Sequence, residues 1–177
     1  MASGEAFEDI YYTSRDGLRL HARCYAASSG TGRRSRPVIC LPGLTRNGRD
    51  FHDLAIALSR RSHTPRTIYT LDYRGRGLSD FDPDWRNYAL PIEMLDVIDF
   101  ITLTGLQDAA LIGTSRGGLI SMLLAAAQPT AVGAVVLNDI GPVVEHEGMA
   151  RISGYVGRVP LPISWPDAAR MMRELNR

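Results

Sequence analysis

Four short, nearly continuous apolar runs separated by stretches of helical periodicity constrain this chain more tightly than any other feature. The runs are Val38–Leu41, Thr67–Leu71, Ala109–Gly113 and Val132–Asn138. A strand with one wet face alternates polar and apolar residues, whereas a run apolar throughout suits a strand covered on both sides. Between the first two runs, Phe51, Leu54, Ala55 and Leu58 recur at i, i+3, i+4 and i+7, with Asp50 placed as a cap. Between the second and third, Leu95, Ile98 and Ile101 mark an amphipathic helix entered at Pro91. Between the third and fourth, Gly117–Ala127 is small and apolar and stops near Pro129. Strand–helix–strand units at this spacing imply right-handed crossovers and a parallel sheet with helices on both faces. The predicted class is α/β.

The flanks read differently. Phe7–Thr13 is rich in aromatic and β-branched residues, Asp16-Gly17 punctuates a turn, and Leu18, Leu20, Ala22 and Cys24 alternate onto one face. That pattern predicts an antiparallel hairpin at one edge of the sheet. Ala26–Pro37 is small, polar and basic, with Arg33, Arg34 and Arg36, and reads as a solvated loop. After Ile140-Gly141-Pro142 the alternation stops. Val144–Tyr155 is mixed, three prolines fall between Pro160 and Pro166, and Ala168, Met171, Met172 and Leu175 predict a helix beginning near Ser164 and Pro166. We therefore expect one unit over residues 1–142 and a second over 143–177.

Composition closes off several function classes. The 177 residues carry 20 basic and 19 acidic side chains, a net charge of +1, which supplies no strong field toward nucleic acid or anionic membrane. Every basic residue is arginine, a pattern we attribute to codon bias. Cys24 and Cys40 make neither a disulfide framework nor a metal motif. The acidic N-terminus predicts no secretory leader, and no apolar run approaches the roughly 20 residues needed to span a bilayer. The expectation is a cytoplasmic protein, and chemistry at a serine nucleophile, read next, would need no metal or organic cofactor.

The chemistry-bearing residues sit at strand ends. Gly113-Thr114-Ser115-Arg116-Gly117 is a GxSxG between the apolar run Ala109–Ile112 and a helical run from Gly118. A strand-to-helix turn of this kind holds its serine in a strained backbone conformation with the hydroxyl presented as a nucleophile. Carbonyl chemistry at such a serine also needs two N–H groups aimed at the developing oxyanion. Arg116, at a helix N-terminus, offers one. Leu41-Pro42-Gly43-Leu44-Thr45, after the first central strand, offers Leu44 as the other, with Gly43 letting the backbone pass close. Read alone, that segment is equally a plain Pro-Gly turn. Gly75-Arg76-Gly77 is no dinucleotide fingerprint, because GxGxxG would need glycine where Asp80 stands. One RGRG tract in a near-neutral domain does not make an RNA-binding surface.

Taken in order, Leu41–Thr45, Asp72–Asp80, Gly113–Gly118 and Leu137–Pro142 resemble the motifs of the α/β-hydrolase superfamily of serine hydrolases across nearly all of residues 7–142. The family's usual His-Gly before the oxyanion residue is Pro42-Gly43 here, a change that leaves backbone donation intact. The resemblance implies a mostly parallel sheet holding six of eight expected strands, incomplete at its C-terminal edge, and a structural turn at Asp72–Asp80 packed beside the nucleophile. It also implies that residues 143–177 begin a helical cap. Met149, Ile152, Tyr155, Trp165, Met171 and Met172 would then wall an apolar pocket or simply pack together. Asp139, ending a strand, is the candidate triad acid; the family more often places the acid after the following strand, and Asp139 also suits a turn.

The triad order of this fold is serine, acid, histidine. Only His146 follows Ser115, seven residues past Asp139, while His21, His52 and His63 suit surface or packing roles. The resemblance implies two further strands and a catalytic histidine outside this sequence. The expected reaction is hydrolysis of a small ester or related activated carbonyl, with lactones, thioesters and carbon–carbon bonds open. Ser115 in place of an aspartate disfavours dehalogenation and epoxide opening. The rival reading is a chain that keeps the elbow without its base and acts as a binding or interaction module. An uncovered Val132–Asn138 edge would also promote self-association.

Overall fold

The computed structural model describes residues 6–28, 35–61, 63–158 and 160–175, with backbone alone for Arg61, Met149, Arg151, Ile152, Tyr155 and Leu175. Arg33 and Arg34, and the side chains of Met149, Ile152 and Tyr155, therefore lie outside the described residues. The chain divides into two compact units, Met1–Gly141 and Pro142–Arg177.

The first unit is a six-stranded sheet in the order β1-β2-β4-β3-β5-β6. Its strands are β1 (Glu8–Thr13), β2 (Arg19–Tyr25), β3 (Val38–Leu41), β4 (Ile68–Asp72), β5 (Ala109–Thr114) and β6 (Val132–Asn138). The β1–β2 and β2–β4 pairs are antiparallel, and β4–β3, β3–β5 and β5–β6 are parallel. This is the fold of an α/β sheet with an antiparallel N-terminal hairpin, as the alternating pattern requires.

All four residues of β3 are buried because both its faces are covered. Ile39 and Leu41 pack with residues of α2 (Leu90–Thr104) and α3 (Arg116–Ala127), including Val97, Phe100, Ile120 and Leu124. Val38 and Cys40 pack with Phe51 and Ala55, on and just before the short helix α1 (His52–Ile56). Burial alone pushes the Cys40 thiol up to about 12, so it stays protonated and inert. Helix α2 begins with Pro91 in its first turn and stops at Gly105, whose φ of 66° takes the left-handed cap that glycine adopts without strain. No residue of β6 is buried: it forms one margin of the sheet, with Val135 37% and Val136 52% exposed.

Two sequence expectations need correction. The hairpin's second strand does not keep one wet face: Leu20, His21 and Ala22 are all buried. β2 lies between β1 and β4, and the His21 ring is hydrogen-bonded to Asp72 of β4 and Asp9 of β1 at 2.8 and 2.9 Å. The helix after β3 is capped by Asn47, whose side chain accepts from the Arg49 N–H, and not by Asp50. It starts as a 3-10 turn over Gly48–Phe51, then becomes α1, and ends in a π turn over Ala57–Arg61. The tighter start shifts the phase, so Phe51 and Ala55 are buried while Leu54 is 41% exposed.

The second unit holds α4 (His146–Tyr155) and α5 (Trp165–Leu175). Ser164 caps α5 by accepting from the Asp167 N–H at 3.3 Å, and Asp167 accepts in return from the Ile163 N–H at 3.2 Å. That reciprocal cap starts the helix at the expected place. Among the described residues no helix is long and apolar enough to cross a membrane.

Candidate active site

Ser115 sits between the last residue of β5 and the first of α3, with φ 50° and ψ −112°. A non-glycine residue held there costs of order 1–3 kcal/mol and persists only where its surroundings over-determine it. They do so here. Its N–H donates to the Asn138 carbonyl at 2.9 Å, and its carbonyl accepts from the N–H groups of Gly118 and Leu119 at 2.9 and 3.2 Å. The bend leaves no room around it. A Cβ on Gly113 would lie 2.4 Å from the Gly117 carbonyl oxygen, one on Gly117 2.0 Å from the Leu41 oxygen, and one on Gly118 2.2 Å from Ile140 Cγ2. The glycines flanking Ser115 are thus demanded by the approach of α3 to the ends of β3 and β5.

The turn after β3 comes to the same place. The Cβ position of Gly43 is 3.9 Å from Ser115 Cβ and 3.8 Å from the Thr114 oxygen. A methyl group would fit there, so Gly43 is not what permits the approach, contrary to the sequence reading. The turn is closed by the Arg46 N–H donating to the Gly43 oxygen at 3.1 Å. Leu44 is its second residue, half-buried, with an N–H that the closing bond does not use. As the first residue of α3, Arg116 also has an N–H with no intrahelical acceptor. Two backbone donors and one hydroxyl therefore belong to segments in contact.

The Asp72–Asp80 stretch ties these segments down. Asp72 accepts from the Gly48 and Leu78 N–H groups at 2.7 and 3.0 Å and pairs with His21. Burial works against its negative charge, but His21 and the two N–H groups outweigh it and hold the carboxyl below its ordinary range. Arg74 is 1% exposed and is bound by Asp96, Asp82 and Asp16. Arg76 donates through Nε to the Leu44 carbonyl at 3.3 Å, reaching the turn beside Ser115.

Asp139 follows β6 directly, exposed and at φ 54°. Among the described residues its carboxylate caps no backbone N–H, while its left-handed φ is one that aspartate tolerates in a turn. Because the Ser115 N–H bonds the Asn138 oxygen, Asp139 follows a residue tied to the elbow. Two histidines of the first unit are engaged by other side chains. His21 is engaged as above, His52 Nδ1 lies 2.9 Å from the Tyr25 hydroxyl, and His63 is exposed in the loop before β4. His146 is exposed at the start of α4 in the second unit. Among the described residues no group of three or more His, Cys, Asp or Glu side chains is arranged to hold a metal ion.

Sequence reasoning missed a pair that involves Arg116 itself. Arg116 Nε is 2.6 Å from Glu93 Oε2, and its Nη2 donates to the Tyr88 carbonyl at 3.0 Å. The only hint was a glutamate two places after Pro91, on a helix whose buried face carries just one other acidic residue, Asp96. A cavity of about 320 Å³ lies beside the elbow, lined by Pro42, Gly43, Phe51, Thr114, Asn138 and the Arg46–Asp50 ion pair.

Comparison with known proteins matches residues 36–175 to the family described as alpha/beta hydrolase fold. A 3-hydroxybutyrate-oligomer hydrolase from Cupriavidus necator is 35% identical over 122 residues, covering 69% of this chain and 40% of that protein. An sn-1-specific diacylglycerol lipase from Mus musculus is 34% identical over 106 residues, covering 60% of this chain and 33% of that protein. The crystal structure of an alpha/beta hydrolase from Novosphingobium aromaticivorans superposes with a TM-score of 0.84 at 46% identity, covering 96% of this chain and 56% of that one. The chain spans less than two thirds of the length of each.

Proposed function

This chain belongs to the alpha/beta hydrolase fold family, and we propose that it supplies the nucleophile and the oxyanion-binding turn of a serine hydrolase acting on esters. Ser115 Oγ attacks the ester carbonyl and forms the new C–O bond. The Leu44 and Arg116 N–H groups receive the charge that develops on the carbonyl oxygen. The serine proton passes to a histidine outside these 177 residues, which returns it to the departing alcohol as the ester bond breaks. Water then repeats the attack on the acyl-enzyme and releases the acid. Asp139 orients that histidine, or a later acid takes its place. Residues 143–177 begin a helical cap. The relatives named as an oligomer hydrolase and a lipase support an ester over other carbonyl substrates.

The observation that carries this reading is the Ser115 backbone, at φ 50° and ψ −112° between glycines that admit no side chain. A fluorophosphonate probe tests it. Labelling of the protein expressed from its full reading frame, abolished by Ser115→Ala, is the expected result; labelling that survives this substitution refutes Ser115 as the nucleophile. A second reading, an elbow without a base that serves only as a binding module, is favoured by the engagement of His21 and His52 with other side chains. It is the reading that stands if a folded, full-frame protein takes no label at all.

A further inference from the structure

We infer that Glu93 is a positioning residue for this reaction, acting through the Arg116 side chain on the Arg116 N–H. The inference rests on the reading of Ser115 and Arg116 given above. Arg116 has two jobs that its geometry joins. Its backbone is the first residue of α3, one bond after the strained serine, and its side chain is held at two points on another element. Nε meets Glu93 Oε2 at 2.6 Å and Nη2 meets the Tyr88 carbonyl at 3.0 Å. Glu93 lies in the first turn of α2 and Tyr88 two residues before the helix, and that turn is itself fixed by bonds from the Ile92 and Glu93 N–H groups to the Ala89 carbonyl, each 3.0 Å.

Stability alone does not explain this pair. Glu93 is 4% exposed, and the Arg116 side chain is 16% exposed. Taking a carboxylate and a guanidinium out of water costs several kcal/mol, and apolar residues of similar volume are often as stable or more so. A leucine–methionine pair, extending the apolar cluster that α2 and α3 share, would escape that penalty. The ion pair offers direction instead. A guanidinium held at two donors leaves its stem few rotamers, so it ties the first turn of α3 to these anchors. A donor to an oxyanion needs that precision, since displacing a reacting group by about 1 Å can cost on the order of a hundredfold in rate.

The neighbourhood raises the stakes of the pair. The Tyr73 hydroxyl is buried with no hydrogen-bond partner among the described residues, and burial holds its proton on, with the Glu93 charge adding to the effect and Arg116 opposing it.

The test uses the protein from its full reading frame and an apolar double substitution, Glu93→Leu with Arg116→Met. This variant removes both charges together and so is expected to fold with its melting temperature within a few degrees of the parent. Its kcat on a p-nitrophenyl ester should fall at least about tenfold with KM unchanged. Its affinity for an alkyl boronic acid, which forms a tetrahedral oxyanion on the serine, should fall by the same factor. Glu93→Gln, which keeps the shape, should show the same split to a smaller degree. A folded double variant with parental kcat and parental boronate affinity overturns the inference, as does a loss confined to KM. If the double variant does not fold, Glu93→Gln decides alone. Failure of the serine reading is seen separately, as hydrolysis that survives Ser115→Ala.

Discussion

Replacing Gly117 by alanine tests whether contact, and not backbone freedom, shapes the elbow. The added Cβ would lie 2.0 Å from the Leu41 carbonyl oxygen and 2.6 Å from its carbon, whereas real approaches essentially never fall below 3.0 Å. Leu41 is the last residue of the central strand β3, so the oxygen cannot step aside, and α3 must lift by about 1 Å. Ile120 and Leu124, both fully buried, rise with it. A gap of that size forfeits roughly a quarter to a half of each affected contact. With about 2–3 kcal/mol at stake for each buried side chain, the two lose some 2 kcal/mol, and the residual clash adds about 1 kcal/mol. Alanine's better helix propensity returns a little under 1 kcal/mol. The net expectation is a loss of about 2 kcal/mol, or roughly 4–8 °C in melting temperature. Gly43→Ala is the matched control across the same site, because its nearest neighbour would be Arg46 Cγ at 3.7 Å, and it should stay within about 0.5 kcal/mol of the parent. Urea unfolding of both variants reads the difference. Equal stabilities for the two, with Gly117→Ala undamaged, would refute the argument.

Two further outcomes follow from the structure. Burial opposes charge on His21, but Asp72 and Asp9 outweigh it and raise its pKa, so its contribution to stability is whole below the unfolded value of about 6.5 and drains as pH rises through the folded value. The Asp72 side of the pair is present above its unfolded value of 3.8 and is lost only as pH falls through its lowered folded value. The stability penalty of His21→Gln should therefore be greatest near pH 5.5 and smaller at pH 9, as measured by denaturant melts; a penalty that grows with pH contradicts this. For the sheet edge, we propose that a second copy of the chain pairs along β6, where Val135 and Val136 are exposed. Sedimentation of residues 1–177 should then be concentration-dependent and become monomeric with Val136→Lys, and a concentration-independent monomer before substitution removes the proposal.

What the sequence made legible, and what it hid, divides along the range of the interactions concerned. β3 and β6 were readable to the residue, because each is an unbroken apolar run, although only β3 has the cover on both faces that such a run implies. Ser115 was readable for a similar reason: the collisions awaiting Gly113 and Gly117 are with backbone atoms, which every sequence of this fold possesses, so the glycines appear as a fixed motif. The cap at Asn47 was not, since Asp50 three residues on is as good a capping side chain, and only the 3-10 start decides between them. His21 and Glu93 were hidden more deeply. Each sits where a local pattern expects an apolar or surface residue, and each is stable only because a partner 51 or 23 positions away supplies the opposite charge. A single sequence records the cost of burying such a group but not the partner that offsets it. Long-range charge pairs are therefore the part of a site that coordinates add, and in this chain the pairs they add stand directly behind the segments that carry Ser115, Leu44 and Arg116.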